Sequence, residues 1–308
     1  MDTLPEELIN KIISITRNRI FDLCLVNKYF SVNVKQIKLA SNAGYPLLKD
    51  ENLKNLSHLK IISLDRKALI TIEGILSLTR LEYLKLYNNF RLTNEDISKL
   101  STLTKLALCR DCVITDEGIL SLTKLDHLQL SNNSTITDKG LSTRLKTLTL
   151  SGHCLITDRG ILSLPKLMHL RLHNNLTITD EGLFSGLKTL TLDNHCLITD
   201  QGISALTNLR KLYLSTFDEK KYASYISDNG ISTLTNLEIL LLSSNSIISD
   251  RGINRLTNLK FLDVRSSSTI TNEGIYNLTK LEKLYYNDLI NVEQLTFLSN
   301  LRRTIPRK

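Results

Sequence analysis

The sequence predicts an α/β solenoid, made by stacking one short strand-and-helix unit many times. Three observations predict it. The phrase L-x-x-L-x-L recurs in eleven units, with first leucines at 59, 81, 103, 125, 145, 167, 187, 209, 237, 259 and 281. The phrase I-T-D-x-G is written five times between Ile114 and Gly202. The steps between units are 22 residues, apart from two of 20 and one of 28. A fixed period in this range marks a repeat architecture, in which each unit packs on its neighbours.

The chain opens on a helical signal. Thr3-Leu4-Pro5-Glu6 suits a helix start, with Thr3 and Glu6 as a reciprocal cap and Pro5 in the first turn. Leu8, Ile9, Ile12 and Ile13 follow at helical spacing, and Ile20, Leu23, Val26 and Phe30 mark a second helical face. Two helices of this length bury little alone, so they need a partner or the rest of the chain.

Each repeat then explains its own spelling. L-x-x-L-x-L ends in a strand whose residues alternate between faces, so Leu148 and Leu150 are expected inward and Thr147, Thr149 and Ser151 outward. Ile156 adds a further core residue. Thr157-Asp158 suits the start of a helical turn, with Thr as cap and Asp at the positive end. Gly160 allows close approach to the neighbouring turn. One unit buries too few side chains to offset the entropy of ordering it, so stacked neighbours must supply the rest. The two 20-residue steps shorten the return side, at Gly140–Leu145 and Gly182–Leu187, and are expected to reduce local curvature. Cys112, Cys154 and Cys196 fall 42 residues apart, which makes the central period a pair of repeats. The 28-residue step places an insert within Ser215 to Tyr225, where solenoids carry surface or binding loops.

These residues carry a resemblance. Leu4-Pro5-Glu6-Glu7-Leu8-Ile9, followed by Leu23-Cys24-Leu25-Val26-Asn27-Lys28-Tyr29-Phe30, resembles an F-box, although Asn27 stands where that family commonly has Cys and the stretch Thr16 to Asp22 is short. The array over about residues 50 to 300 resembles leucine-rich repeats of the I-T-D-x-G-L type found in F-box/leucine-rich-repeat proteins. The resemblance implies an F-box-like segment at 1–40 and a leucine-rich-repeat solenoid at 41–308. It also implies a concave parallel sheet with short outer helices. Leu4, Pro5, Leu8, Ile9, Ile12, Val26 and Phe30 would then dock on a Skp-type adaptor.

Composition excludes several other classes. The 308 residues are 42% hydrophobic and 23% charged, ordinary for a soluble fold. No apolar run approaches the roughly 20 residues that span a bilayer, so no membrane partner is expected. Five cysteines, an odd number, with no signal peptide point to reduced thiols in a cytoplasmic or nuclear setting. The net charge of +8 is spread along the chain, apart from a basic tail at Arg302, Arg303, Arg307 and Lys308. A diffuse excess does not make nucleic acid the expected partner.

No motif for chemistry survives inspection. Cys109-x-x-Cys112 lacks further ligands, and the 42-residue spacing sets the other cysteines about 10 Å apart, beyond a disulfide. They are expected to be buried small residues. His153 and His195 replace Asn133 and Asn175 three residues after the last Leu, a position expected to bond buried backbone groups. His169 and His173 are about 13 Å apart on one strand and cannot share a metal. No phosphate or dinucleotide loop is present. No cofactor is expected, nor an enzyme.

Recognition is expected on the concave row. The strand register places Tyr83, Lys85, Tyr87, His169, Arg171, His173, Lys211, Tyr213, Ile239, Leu241, Phe261, Arg265 and Tyr285 there, with Lys105, His127, Gln129, Asp263 and Lys283. An aromatic and aliphatic patch rimmed by Lys and Arg suits a protein interface. The expected function is substrate recognition in a Skp–cullin–F-box type ubiquitin ligase, with a target protein on the concave face. The alternative is a stand-alone interaction scaffold whose N-terminal helices only cap the solenoid.

Overall fold

The computed structural model describes residues 36–38, 49–54, 56–64, 69–87, 91–110, 112–215, 226–243 and 247–306. The adaptor-facing positions Leu4, Pro5, Leu8, Ile9, Ile12, Val26 and Phe30 lie outside these residues, as does the insert over 216–225. The chain divides into two compact units, Met1–Leu125 and Asp126–Lys308.

In the first unit, β1 (Gln36–Lys38), β2 (Ile61–Leu64), β3 (Tyr83–Tyr87) and β4 (Lys105–Cys109) pair in chain order, all parallel. The short helices Asp50–Lys54, Ile72–Leu76, Asn94–Ser98 and Asp116–Leu120 alternate with the strands. The leucine pattern sets the register: Ile62, Leu84 and Leu106 are opposite one another and buried. β1 is a strand the pattern did not mark; it places Ile37 opposite Ile62.

The second unit repeats the arrangement. Its strands are β5 (His127–Ser131), β6 (Thr147–Ser151), β7 (His169–His173), β8 (Thr189–Asp193), β9 (Lys211–Ser215), β10 (Ile239–Ser243), β11 (Phe261–Asp263), β12 (Lys283–Tyr286) and β13 (Arg303–Pro306). They too pair in chain order and parallel. Alternation is as the strand rule requires. On β6, Leu148 and Leu150 are buried, while Thr147, Thr149 and Ser151 are half-buried on the other face. β13 adds a strand beyond the eleven leucine units. Arg302 and Arg303 belong to a further unit, and their N–H groups donate to the Glu282 carbonyl at 2.9 and 3.2 Å.

The return side explains the I-T-D-x-G phrase. In four of the five phrases the Asp accepts from the cap residue of the next repeat: the Thr157 N–H and hydroxyl donate to Asp138 at 2.8 and 2.6 Å. Thr179 does the same to Asp158 at 2.9 and 2.6 Å, and Ser249 to Asp228 at 2.7 and 2.6 Å. The Asp is thus a link between repeats as much as a helix-end charge. The glycine has a reason of the same kind. A Cβ on Gly160 would stand 2.1 Å from Asp138 Oδ1, so only glycine fits under the carboxylate.

The two 20-residue steps carry 3₁₀ turns, Asp138–Gly140 and Asp180–Gly182, where the 22-residue repeats carry short α-helices. The shortening therefore falls on the return side, as expected. A 3₁₀ turn uses fewer residues per turn, which absorbs the deletion.

The alternate repeats also differ where the strands end. Asn133 and Asn175 are fully buried, and each Oδ1 accepts from the backbone N–H three residues on, at 2.9 and 3.0 Å. His153 does not take that role: its side chain is exposed, because its neighbour Cys154 fills the buried place. The thiols of Cys154 and Cys196 bond the Ser151 and Leu172 carbonyls, each at 3.6 Å. Burial pushes the Cys196 thiol up to about 11 and raises Cys154. The four described cysteines form no disulfide and are buried.

Candidate interaction surface

The side of each sheet opposite the leucine rows is solvent-facing, because strand alternation leaves every second residue there. In the first unit it carries Tyr83, Lys85 and Tyr87, all half-buried on β3. Lys85 Nζ lies 4.7 Å over the Tyr87 ring, a cation–π contact. Burial raises the Tyr83 hydroxyl above its ordinary value. Lys85 and Tyr87 stand opposite Ala107 and Cys109, which are buried although they occupy outward positions.

In the second unit the strands β5 to β8 present a polar surface. His127 Nδ1 lies 2.6 Å from Asp126 Oδ1, and Lys146 donates to the other oxygen at 3.1 Å. Burial acts to raise the Asp126 carboxyl, but the bonds from His127 and Lys146 outweigh it and hold it below its ordinary value. Burial, aided by the charges of His127 and Lys211, lowers His169. Thr147, Thr149, Thr189 and Thr191 fill the positions between the charged groups.

Asp193 is the residue that sequence reasoning missed. It is buried at the end of β8, where Arg171 donates to it from Nε at 2.8 Å. His173 Nδ1 lies 3.9 Å from the same carboxylate. The available signal was an acid 20 positions after His173, which is one repeat away and two residues beyond the position opposite Arg171. Asp263 plays a similar part on β11, one outward position earlier in the register: it is buried, and Arg265, two residues on, donates to it from Nε and Nη2 at 3.0 and 2.7 Å.

Strands β9 to β12 bring together the predicted aromatic and aliphatic residues. Tyr213, Leu241, Asp263 and Tyr285 form one row across four strands, and Lys211, Ile239, Phe261 and Lys283 form the next. Tyr213, Ile239, Leu241, Phe261 and Tyr285 are half-buried, and Lys211 and Lys283 are exposed. The Phe261 and Tyr285 rings meet edge-on, 5.0 Å apart at 71°. The Arg265 guanidinium sits 4.8 Å over the Tyr285 ring. Burial raises the Tyr213 hydroxyl. The face has an apolar centre, held by ring contacts, and basic donors at its margins. Tyr83, Lys85 and Tyr87 belong to the other unit.

The comparisons agree with this architecture. Residues 121–143 match the family described as Leucine Rich repeat. An internalin from Listeria monocytogenes aligns with TM-score 0.51 and 18% identity, covering 97% of this chain and 94% of the internalin. A chain of the Rad7 and Elc1 complex from yeast aligns with TM-score 0.61 and 18% identity, covering 96% of this chain and 86% of that one. The fold is a leucine-rich-repeat solenoid. No curated protein sequence matches the chain. Among the described residues, no helix of this solenoid is long and apolar enough to cross a membrane, and no group of three His, Cys, Asp or Glu side chains is placed to hold a metal.

Proposed function

We propose that this chain recruits a target protein to a Skp–cullin–F-box type ubiquitin ligase. The observation that carries the reading is the order of motifs: an F-box-like Leu4-Pro5-Glu6-Glu7-Leu8 stretch, then a repeat array with an apolar, basic-rimmed outward face. Leu4, Pro5, Leu8, Ile9, Ile12, Val26 and Phe30 dock on the adaptor, and the outward strand face holds the target. The chain then acts by positioning. Two binding sites on one polypeptide raise the effective concentration of target lysines near the ligase. It makes and breaks no bond itself.

Adaptor capture tests this. Full-length protein should retain a purified Skp-type adaptor, and L4A/P5A should release it. No capture, or capture unchanged in the double variant, sinks the ligase reading.

One observation favours a second reading. β1 pairs with β2, so the chain ahead of the first leucine repeat already extends the sheet. In that reading the N-terminal residues cap a stand-alone interaction scaffold and bind no adaptor.

A further inference from the structure

The second unit presents two arginines in the same way. Arg171 Nε donates to Asp193, and Arg265 grips Asp263 with Nε and Nη2. In each pair the carboxylate is shut away and the guanidinium is not: side-chain exposures are 8% against 56%, and 7% against 42%. An incoming molecule therefore meets N–H donors and never the carboxylate oxygens. Each guanidinium keeps N–H groups beyond those its aspartate uses. The aspartates fix both forks in advance, which lowers the entropy cost of a later contact.

On the outward strand positions the exposed charge has one sign. Among the described residues, the acids on the outward positions of β7 to β12 are Asp193 and Asp263 alone, both buried. Lys211 and Lys283 on the same face are exposed. Between the two arginines lies the floor of Tyr213, Ile239, Leu241 and Phe261.

We infer that this face binds an acidic protein segment, with two carboxylate side chains about five or six residues apart and apolar side chains between them. The spacing follows from the register. β7 and β11 are four strand spacings apart, about 19 Å at ~4.8 Å each. An extended peptide covers ~3.3–3.6 Å per residue. Each carboxylate meets one anchored guanidinium, the geometry Arg favours. Nucleic acid fits less well, because Ile239 and Leu241 at the centre offer no plane on which bases stack. The inference rests on the reading that this face holds a protein partner and names that partner's chemistry.

The test is selection of random twelve-residue peptides displayed on phage against immobilised full-length protein. Recovered peptides should carry Asp or Glu five or six positions apart, flanking apolar residues. R171Q and R265Q should each weaken the recovered peptides about tenfold, or ~1.4 kcal/mol, and K166Q, on the return side, should leave them unchanged. Loss of an arginine leaves a buried aspartate unpaired and can unfold the repeat. R171Q/D193N and R265Q/D263N remove both charges and serve as folded counterparts, checked by thermal melting. Three results would overturn the inference: no enrichment, enrichment without the acidic pair, or folded double variants that bind at full affinity. Displacement of the peptides by a single-stranded DNA oligonucleotide, with steep salt dependence, would also overturn it. Adaptor capture is scored separately, so acidic selection without adaptor capture refutes only the ligase reading, and the reverse refutes only this inference.

Discussion

Gly160 and Asp138 show how a single residue's identity is set by the repeat next to it. The Asp138 carboxylate sits where a Cβ of residue 160 would be, 2.1 Å away, while accepting from Thr157. Gly160→Ala must push the carboxylate off those bonds. Hydrogen bonds to a charged group contribute about 1.5–3 kcal/mol, so G160A should lose roughly 2–3 kcal/mol in urea unfolding. In an Asp138→Ala background the same change should cost much less, because the clash is gone. A double-mutant cycle with no coupling would refute this account. Cys196 gives a second prediction at this scale. Burial keeps the thiol neutral and raises it from its ordinary 9.0 to about 11. A raised folded value means that its contribution is full below about pH 9 and is lost as pH climbs through 11. In native protein at pH 8, iodoacetamide should therefore spare Cys154 and Cys196, and urea should expose both. Peptide mass mapping reads the outcome.

The elements were legible to different depths. Every strand spelled by L-x-x-L-x-L formed where the spelling put it, because those leucines are the core and their spacing sets the register. β13 was not legible: its unit reads Leu301-x-x-Thr304-x-Pro306, and backbone pairing to β12 replaces the missing leucines. The turn after five of the strands was not legible. Sequence reasoning marked the third position after the last Leu, for bonding backbone groups, whereas the left-handed residue is the second. It is Arg110, Asn132, Gly152, Asn174 or Asn194, with φ between 47° and 64°. Three residue types occupy it, so no single letter marks it; the requirement belongs to the backbone. It is met because the N–H there reaches the next strand, as Asn174 does to the Asp193 carbonyl at 3.0 Å. Asn tolerates this conformation better than most residues, and Gly tolerates it best. Asn174→Ala should lower stability by about 1 kcal/mol, and Asn174→Gly should be near neutral. Thermal melts that rank Ala above Gly would show that the φ of this turn does not matter.

At the scale of the whole chain, the site was legible in its positions and not in its pairing. Alternation alone put Arg171 and Arg265 on the outward face. That Asp193 and Asp263 hold them could not be read, since Asp193 stands at a strand end where an acid usually marks a turn. The N-terminal boundary raises the matching question for function, because β1 makes two truncations differ. Deleting 1–35 removes the F-box-like motif and keeps Gln36–Lys38 against Ile61–Ser63. Deleting 1–48 also removes that strand and leaves β2 as an edge, with Ile62 losing its neighbour Ile37. If the motif is an adaptor dock, the first deletion should abolish adaptor capture and leave the amide protection of Ile61–Leu64 unchanged. The second should reduce that protection as well, because an edge strand opens more readily than a paired one. Hydrogen exchange on both proteins separates the two readings. If the shorter deletion already costs β2 its protection, the first 35 residues act as a cap, and the scaffold reading replaces the ligase.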